Sequence, residues 1–290
     1  MDNRQPEPGP TALRMQVGAR LRELREARGI SREEAGERIR ASNSKMSRLE
    51  RGRHSFKTRD VVDLLELYVA DEEDRETLLA LAQQAKEPAW WQAYSDVIPS
   101  WFGQYLGLEQ SATVIRSYES QVIPALLQTP DYARAAVRLE PHAAQDATAE
   151  DIERRIDLRI ARQDVLRREV GAATLWAIID EAALRRPLGG WAVMHDQLQR
   201  LVEDAERPNV NIQVLPFAAG GHPALGGPIT VLRFAENHLP DTVYLEHLSG
   251  ASYPEKHEAV VFQHIMNSLA VQSDQPADSI AFVKHLLDEH

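Results

Sequence analysis

The stretch Ser31–Gly52, SREEAGERIRASNSKMSRLERG, reads as two short helices joined by a tight turn. Ser31 has the chemistry of an N-cap, with Glu34 three residues on, the spacing of a capping box. Ala35 and Gly36 offer a surface poor in side chain, where a second helix can cross closely, and Ile39 faces inward. Ser42 caps the second helix, on which Met46 and Leu49 share the buried face. Asn43, Ser44, Lys45, Arg48 and Arg51 are left towards solvent. Two helices with a small-residue crossing and a basic, polar second helix make a helix-turn-helix. The second helix of that motif enters the DNA major groove.

Charge distribution points the same way. Residues 1–60 hold 15 Lys/Arg against 9 Asp/Glu, a net of +6; the whole chain carries −11, so residues 61–290 carry −17. A positive end on an acidic protein implies local contact with a polyanion rather than general adhesion. Between Arg40 and Arg59 seven basic residues face one acid, Glu50. The expected roles follow from position. Asn43, Ser44 and Arg48 reach base edges, and Arg32, Lys45, Arg51 and Arg53 grip phosphates. One small helix-turn-helix reads few base pairs, so a homodimer on paired half-sites of double-stranded DNA is expected.

At these positions the chain resembles the lambda-repressor-like (XRE) helix-turn-helix family. The small pair Ala35-Gly36, the apolar trio Ile39, Met46 and Leu49, and the closing LERG at Leu49–Gly52 carry the resemblance. The family usually has Gly at the turn, where this chain has Arg40. A non-Gly residue at positive φ costs about 1 kcal/mol, so either the turn geometry differs or the strain is tolerated. Family members often carry Gln where this chain has Arg32, which shifts that contact towards phosphate.

Around the motif, Leu13, Val17, Leu21 and Leu24 mark a preceding helix closed by Gly29. Val61, Leu64, Leu65 and Tyr68 mark a fourth helix; Leu78, Leu79 and Ala82 mark a fifth behind the acids Asp71–Asp74. The division expected is a disordered lead-in over 1–10, a five-helix bundle over 11–87, an aromatic connecting segment over 88–110 and a further domain over 111–290. The connecting segment holds three of the five tryptophans, Trp90, Trp91 and Trp101, together with Tyr94, Phe102 and Tyr105. Such a cluster is either a hinge packing the domains together or the wall of a ligand pocket.

Beyond residue 110 strand signals appear. Val210, Ile212 and Val214 alternate with Asn209, Asn211 and Gln213, the period of a half-buried strand. Thr230–Phe234, Val243–Leu245 and Thr113–Tyr118 are further strands, and the apolar run Thr174–Ile179 reads as a central one. Short connections between the later strands favour antiparallel pairing. Helices are expected over 130–139, 149–168, 191–206, 256–270 and 278–289. The result is an α+β domain with a mainly antiparallel sheet.

The runs Val122–Ala135, Leu175–Gly190 and Arg207–Pro228 resemble the companion domain that follows the helix-turn-helix in WhiJ-like regulators of filamentous soil actinobacteria. That family usually has Gly where this chain has Ala125. The resemblance implies a non-catalytic domain and a small protein partner encoded by a neighbouring gene.

Other chemistry is weakly signalled. The Gly-rich loop around His222 runs into a strand rather than into the Lys-Ser/Thr and helix of a phosphate loop. His257 and His264 lack metal-ligand spacing, so no metal or cofactor is expected. Asp180-Glu181 reads as a solvated strand end, and Arg154, Arg155, Arg159 and Arg162 read as helix-surface partners of interleaved acids. The chain has no cysteine, which excludes disulfides and thiolate chemistry. No apolar run approaches the ~20 residues of a membrane span, and the N-terminus has no signal-peptide core, so a cytoplasmic, non-membrane protein is expected. The reading is a transcription regulator, a repressor or a developmental or antibiotic regulator, with a C-terminal part sensing a small-molecule effector or a protein. An antitoxin neutralising a small partner is the alternative, and an enzyme carrying a DNA-binding domain is less favoured because no nucleophile motif is present.

Overall fold

The computed structural model describes residues 8–140, 147–235, 239–254 and 257–289. The expected lead-in lies outside the described residues over 1–7, and Pro10 already occupies the first turn of helix α1 (Pro10–Ala27). Four more helices complete the N-terminal bundle: α2 (Arg32–Arg38), α3 (Asn43–Glu50), α4 (Thr58–Leu67) and α5 (Glu72–Gln84). Ser31 Oγ accepts the Glu34 amide at 3.1 Å and Ser42 Oγ accepts the Lys45 amide at 3.2 Å, so each motif helix starts at its expected cap. Val17, Leu21, Ala35, Ile39, Met46, Leu49, Val61, Leu64 and Leu65 form one buried core. A side chain at Gly36 would collide with the Ala41 carbonyl, which fixes the small residue where α2 meets the turn.

Inside this bundle the one acid of the basic run is taken out of the surface. Arg25 forks onto buried Glu50, with Nη2 3.1 Å from Oε2, and its Nη1 donates to the Ile30 carbonyl at 2.8 Å. This pair fixes α1 against the end of α3. Losing one partner of such a pair costs ~3–5 kcal/mol, because the other charge stays buried alone.

The larger part is an α+β unit. A 3-10 turn at Trp90–Tyr94 precedes α6 (Phe102–Ser111), and a six-stranded mixed sheet follows in the order β3-β2-β1-β4-β5-β6. The strands are β1 (Val114–Glu119), β2 (Thr174–Asp180), β3 (Val210–Leu215), β4 (Ile229–Arg233), β5 (Thr242–His247) and β6 (Gly250–Ser252). Three of the five pairings, β1–β4, β4–β5 and β5–β6, are antiparallel; β1–β2 and β2–β3 are parallel. The parallel half arises because α7 (Pro130–Val137) and α8 (Ala149–Arg162) cross from β1 to β2, and α9 (Glu181–Arg185) and α10 (Trp191–Asp204) cross from β2 to β3. Leu175, Ala177 and Ile179 of β2 face one core and Ile178 faces the other, so this strand is central, as its apolar run implies.

The polar face of β3 departs from the expectation of a half-solvated strand. Gln213 is buried: its carbonyl oxygen accepts from Trp176 Nε1 at 2.6 Å, and its amide donates to the carbonyls of Ala270 and Asp274. Ala270 is in the last turn of α11 (His257–Gln272), and Asp274 is in the link from it to α12 (Pro276–Glu289). Ser279 Oγ accepts the Val214 amide, and the Asp274 amide donates to the Val214 carbonyl, so the chain's own C-terminal helices cover the sheet edge.

The bundle and the sheet unit meet through α1. Val17 and Leu21 sit in the bundle core, whereas Ala12 belongs to the large core with Tyr105, Leu106 and Leu108 of α6. A Cβ at Gly107 would overlap Thr11, and the Gly9 amide donates to Ser111 Oγ at 3.0 Å. Residues 102–110, assigned above to the connecting segment, thus form most of a core helix.

Arg40 holds φ +54°, so the strained turn geometry is present with a non-Gly residue. Arg40→Gly should therefore raise stability by up to ~1 kcal/mol, the relief of left-handed strain less the added freedom of the unfolded chain. Urea denaturation of the two proteins reads this difference; a loss of stability of similar size would mean that the arginine side chain anchors the turn.

Candidate nucleic-acid interface

The basic residues of the first 60 positions divide into two sets. One set is structural. Arg20 forks onto Asp74, Arg28 donates to the Tyr68 and Val69 carbonyls, Arg14 donates to the Ala85 carbonyl, and Arg38 pairs with Glu66. The other set lies on the outer side of α2 and α3. Arg32, Ser44, Arg48, Arg51 and Arg53 are exposed, as is Asn43, and Lys45 is half-buried. Met46 and Leu49 are sealed beneath, so helical periodicity turns Asn43, Ser44, Ser47, Arg48 and Arg51 outwards. Asn43 Nδ2 donates to Glu33 of α2, a partner that no local pattern in the sequence marked. This bond joins the start of α3 to the preceding helix and sets the amide's orientation.

Three of the arginines expected to grip phosphates, Arg32, Arg51 and Arg53, face the C-terminal part of the chain. The Arg53 guanidinium lies over the Tyr253 ring, 5.8 Å from its centroid. A cavity of about 330 Å3 is lined by Arg22, Arg32, Ser47, Glu50 and Arg51 on one side and His257 and Glu258 of α11 on the other. Tyr253, His257 and Glu258 lie some two hundred positions along the chain from the motif, and only the folded sheet brings them there.

The aromatic residues form a continuous ladder towards this contact. Trp101 meets Phe102 at 5.8 Å between centroids, Phe102 stacks on Tyr105 at 5.5 Å, and Tyr105 stacks on Tyr244 at 4.1 Å. Tyr244 then meets Tyr253 at 5.5 Å. Arg162 lies over Phe102 and Tyr105 and forks onto buried Glu109, whose Oε1 also accepts from the Tyr105 hydroxyl. The expectation of helix-surface pairing for the arginines of α8 is corrected by these contacts. Arg162 is buried, Arg154 reaches Asp96 and the Ala93 carbonyl, and Arg159 reaches Glu140. Trp90 and Trp91 pack against the large core, Trp91 over Gly103, and Trp90 lines a cavity of about 250 Å3 with Glu109, Arg162 and Arg168.

A second polar cluster sits at the carboxyl ends of β1 and β2. The Tyr118 hydroxyl is 3.2 Å from Asp180 Oδ2 and 3.3 Å from His222 Nε2. Burial, then the Asp180 charge, pushes the Tyr118 phenol above its ordinary range. Asp180 also caps α9 through the Ala182 amide, and Glu181 accepts the Phe217 amide and pairs with Arg185. Asp180-Glu181 is therefore an internal brace, not the solvated strand end expected. It ties the Gly-rich loop to the sheet. Among the described residues no group of three His, Asp or Glu side chains is placed to hold a metal ion, and no helix is long and apolar enough to cross a membrane.

Glu119, at the end of β1, is pushed up to about 8 by burial and then by the Glu246 charge. Its folded value lies above its ordinary 4.5, so the folded chain keeps a proton that the unfolded chain releases. Its contribution to stability is complete below about pH 4.5 and is lost as pH rises through about 8. Thermal melts between these limits should show wild type losing stability relative to Glu119→Gln; parallel curves would refute burial of this carboxyl.

Two family models match the chain. A helix-turn-helix domain matches residues 16–78, and a domain of unknown function, DUF5753, matches residues 102–285. No curated protein and no solved structure matches. The first match covers all of α2, α3 and α4 with parts of α1 and α5; the second runs from the first residue of α6 into α12. The chain therefore belongs to the DUF5753 family, with a helix-turn-helix domain, the architecture of a DNA-binding regulator, at its N-terminal end.

Proposed function

We propose that this protein is a sequence-specific, XRE-type transcription regulator of actinobacterial kind, without enzymatic activity, whose C-terminal unit senses a small molecule or a protein partner. The observation that carries the reading is α3 itself. It is capped by Ser42 and locked from behind by the Arg25–Glu50 pair, and it presents Asn43, Ser44 and Arg48 outwards. A short polar helix held at its start and its end is what base readout requires, because each bidentate contact needs a fixed side-chain origin. The surrounding arginines supply the sequence-independent share of binding. The protein works in the cytoplasm as a homodimer, since two half-sites are needed to stand out against the genome's non-specific sites. Tyr105 and the tryptophans Trp90, Trp91 and Trp101 support a sensing role for the sheet unit, because they adjoin α6, which also holds α1.

Asn43→Ala and Arg48→Ala should each weaken binding to DNA from the protein's own promoter by ~1–3 kcal/mol and relax preference at one base position. Arg32→Ala should weaken binding uniformly across sequences. Mobility-shift titrations against promoter and point-substituted duplexes separate the two patterns. Equal affinity and equal base preference in both α3 variants would overturn the proposed function.

A further inference from the structure

One cation expected at the DNA backbone, Arg53, is already engaged by the chain itself, and two others, Arg32 and Arg51, line a cavity that a carboxylate shares. Tyr253 follows β6, the last strand of the β5–β6 hairpin, and places its ring under the Arg53 guanidinium. The first turn of α11 brings Glu258 into the cavity that Arg32, Arg51 and Ser47 line from the other side. Arg32, Arg51 and Arg53 flank the recognition helix and are exposed, as are Asn43, Ser44 and Arg48, but it is the flank that has C-terminal residues set against it. A phosphate drawn to Arg32 and Arg51 would enter the cavity beside the Glu258 carboxylate, where like charges repel through a partly enclosed space. It would also have to compete with the Tyr253 ring for Arg53.

We propose that this is an autoinhibitory contact: Tyr253, His257 and Glu258 bar the phosphate-binding flank of α2–α3, and full DNA binding requires them to withdraw. The proposal rests on the DNA-binding reading above. Two features suit the contact to release. The Tyr253 hydroxyl is shielded from solvent without a hydrogen-bond partner, so the closed arrangement leaves a polar group unsatisfied that opening would hydrate. Tyr253 also ends the aromatic ladder through Tyr244, Tyr105 and Phe102 to Trp101, so a shift at α6 reaches Arg53 through rings in direct contact. An effector acting there has two arrangements to bind unequally, which is the requirement for regulation.

The experiment is a fluorescence-anisotropy titration of the full chain with a labelled random-sequence duplex of about 30 base pairs, repeated across salt concentrations, since non-specific binding reports the phosphate contacts. Tyr253→Leu with Glu258→Gln should bind about three- to tenfold tighter than wild type, and log Kd against log salt should steepen by about one to two as freed arginines meet phosphates. Exposed Glu258→Gln alone, which does not threaten folding, should shift affinity in the same direction by about twofold or more. Unchanged affinity with an unchanged salt slope, or weaker binding, would overturn the proposal; weaker binding would make Tyr253 and Glu258 DNA contacts instead of a bar. Arg48→Ala and Arg32→Ala in the same assay keep the two readings apart. If they weaken binding while the Tyr253 and Glu258 variants change nothing, only the autoinhibition falls. If neither wild type nor any variant binds the duplex, the DNA-binding reading falls and this inference falls with it.

Discussion

Helix α1 must satisfy two cores at once, and the rest of the molecule depends on that constraint. Its middle buries Val17 and Leu21 in the bundle, and Arg25 near its end forks onto Glu50 at the end of α3. Its first turn buries Thr11 and Ala12 against α6, so closely that position 107 must be glycine. A rotation of α1 large enough to loosen one contact would disturb the other. The recognition helix is thereby fixed to the sheet unit through packed atoms. Close packing passes small displacements on because interiors are dense and resist gradual deformation.

Electrostatics sorts the same residues by role. The N-terminal excess of positive charge looks uniform along the sequence, yet Arg14, Arg20, Arg25, Arg28 and Arg38 are consumed by carboxylates and carbonyls within the fold. What remains at the surface is concentrated on α2, α3 and the residues just after them. The acidic remainder of the chain limits non-specific attraction to polyanions elsewhere. It also supplies Glu258, which stands against the basic flank.

The helix-turn-helix was legible in the sequence because its determinants are local. Ser31 and Ser42 cap helices within four residues, Gly36 meets Ala41, and Met46 and Leu49 repeat at helical spacing. Five of the six strands were legible for the same reason, through alternation and apolar runs that the three-residue β6 is too short to show. Their order was not. Nothing within Val210–Leu215 tells that β3 runs parallel to β2 at the edge or that Gln213 is buried by the α11–α12 linker. Buried ion pairs were illegible too, since Arg162 and Glu109 are ordinary surface residue types until α6 and α8 pack. The contact of Tyr253 with Arg53 belongs to this class, because its partners are set by topology and not by spacing.

The central claim is that the outer face of α2 and α3 is where this protein meets DNA. Hydrogen–deuterium exchange of the full chain, with and without a duplex from its own promoter, addresses that claim directly, because it reports on every element of the protein in one experiment. The account predicts that DNA slows exchange in peptides spanning Arg32–Arg53, with the start of α3 changing most. Unchanged exchange across that segment at saturating DNA, or slowing confined to the sheet unit, would contradict it.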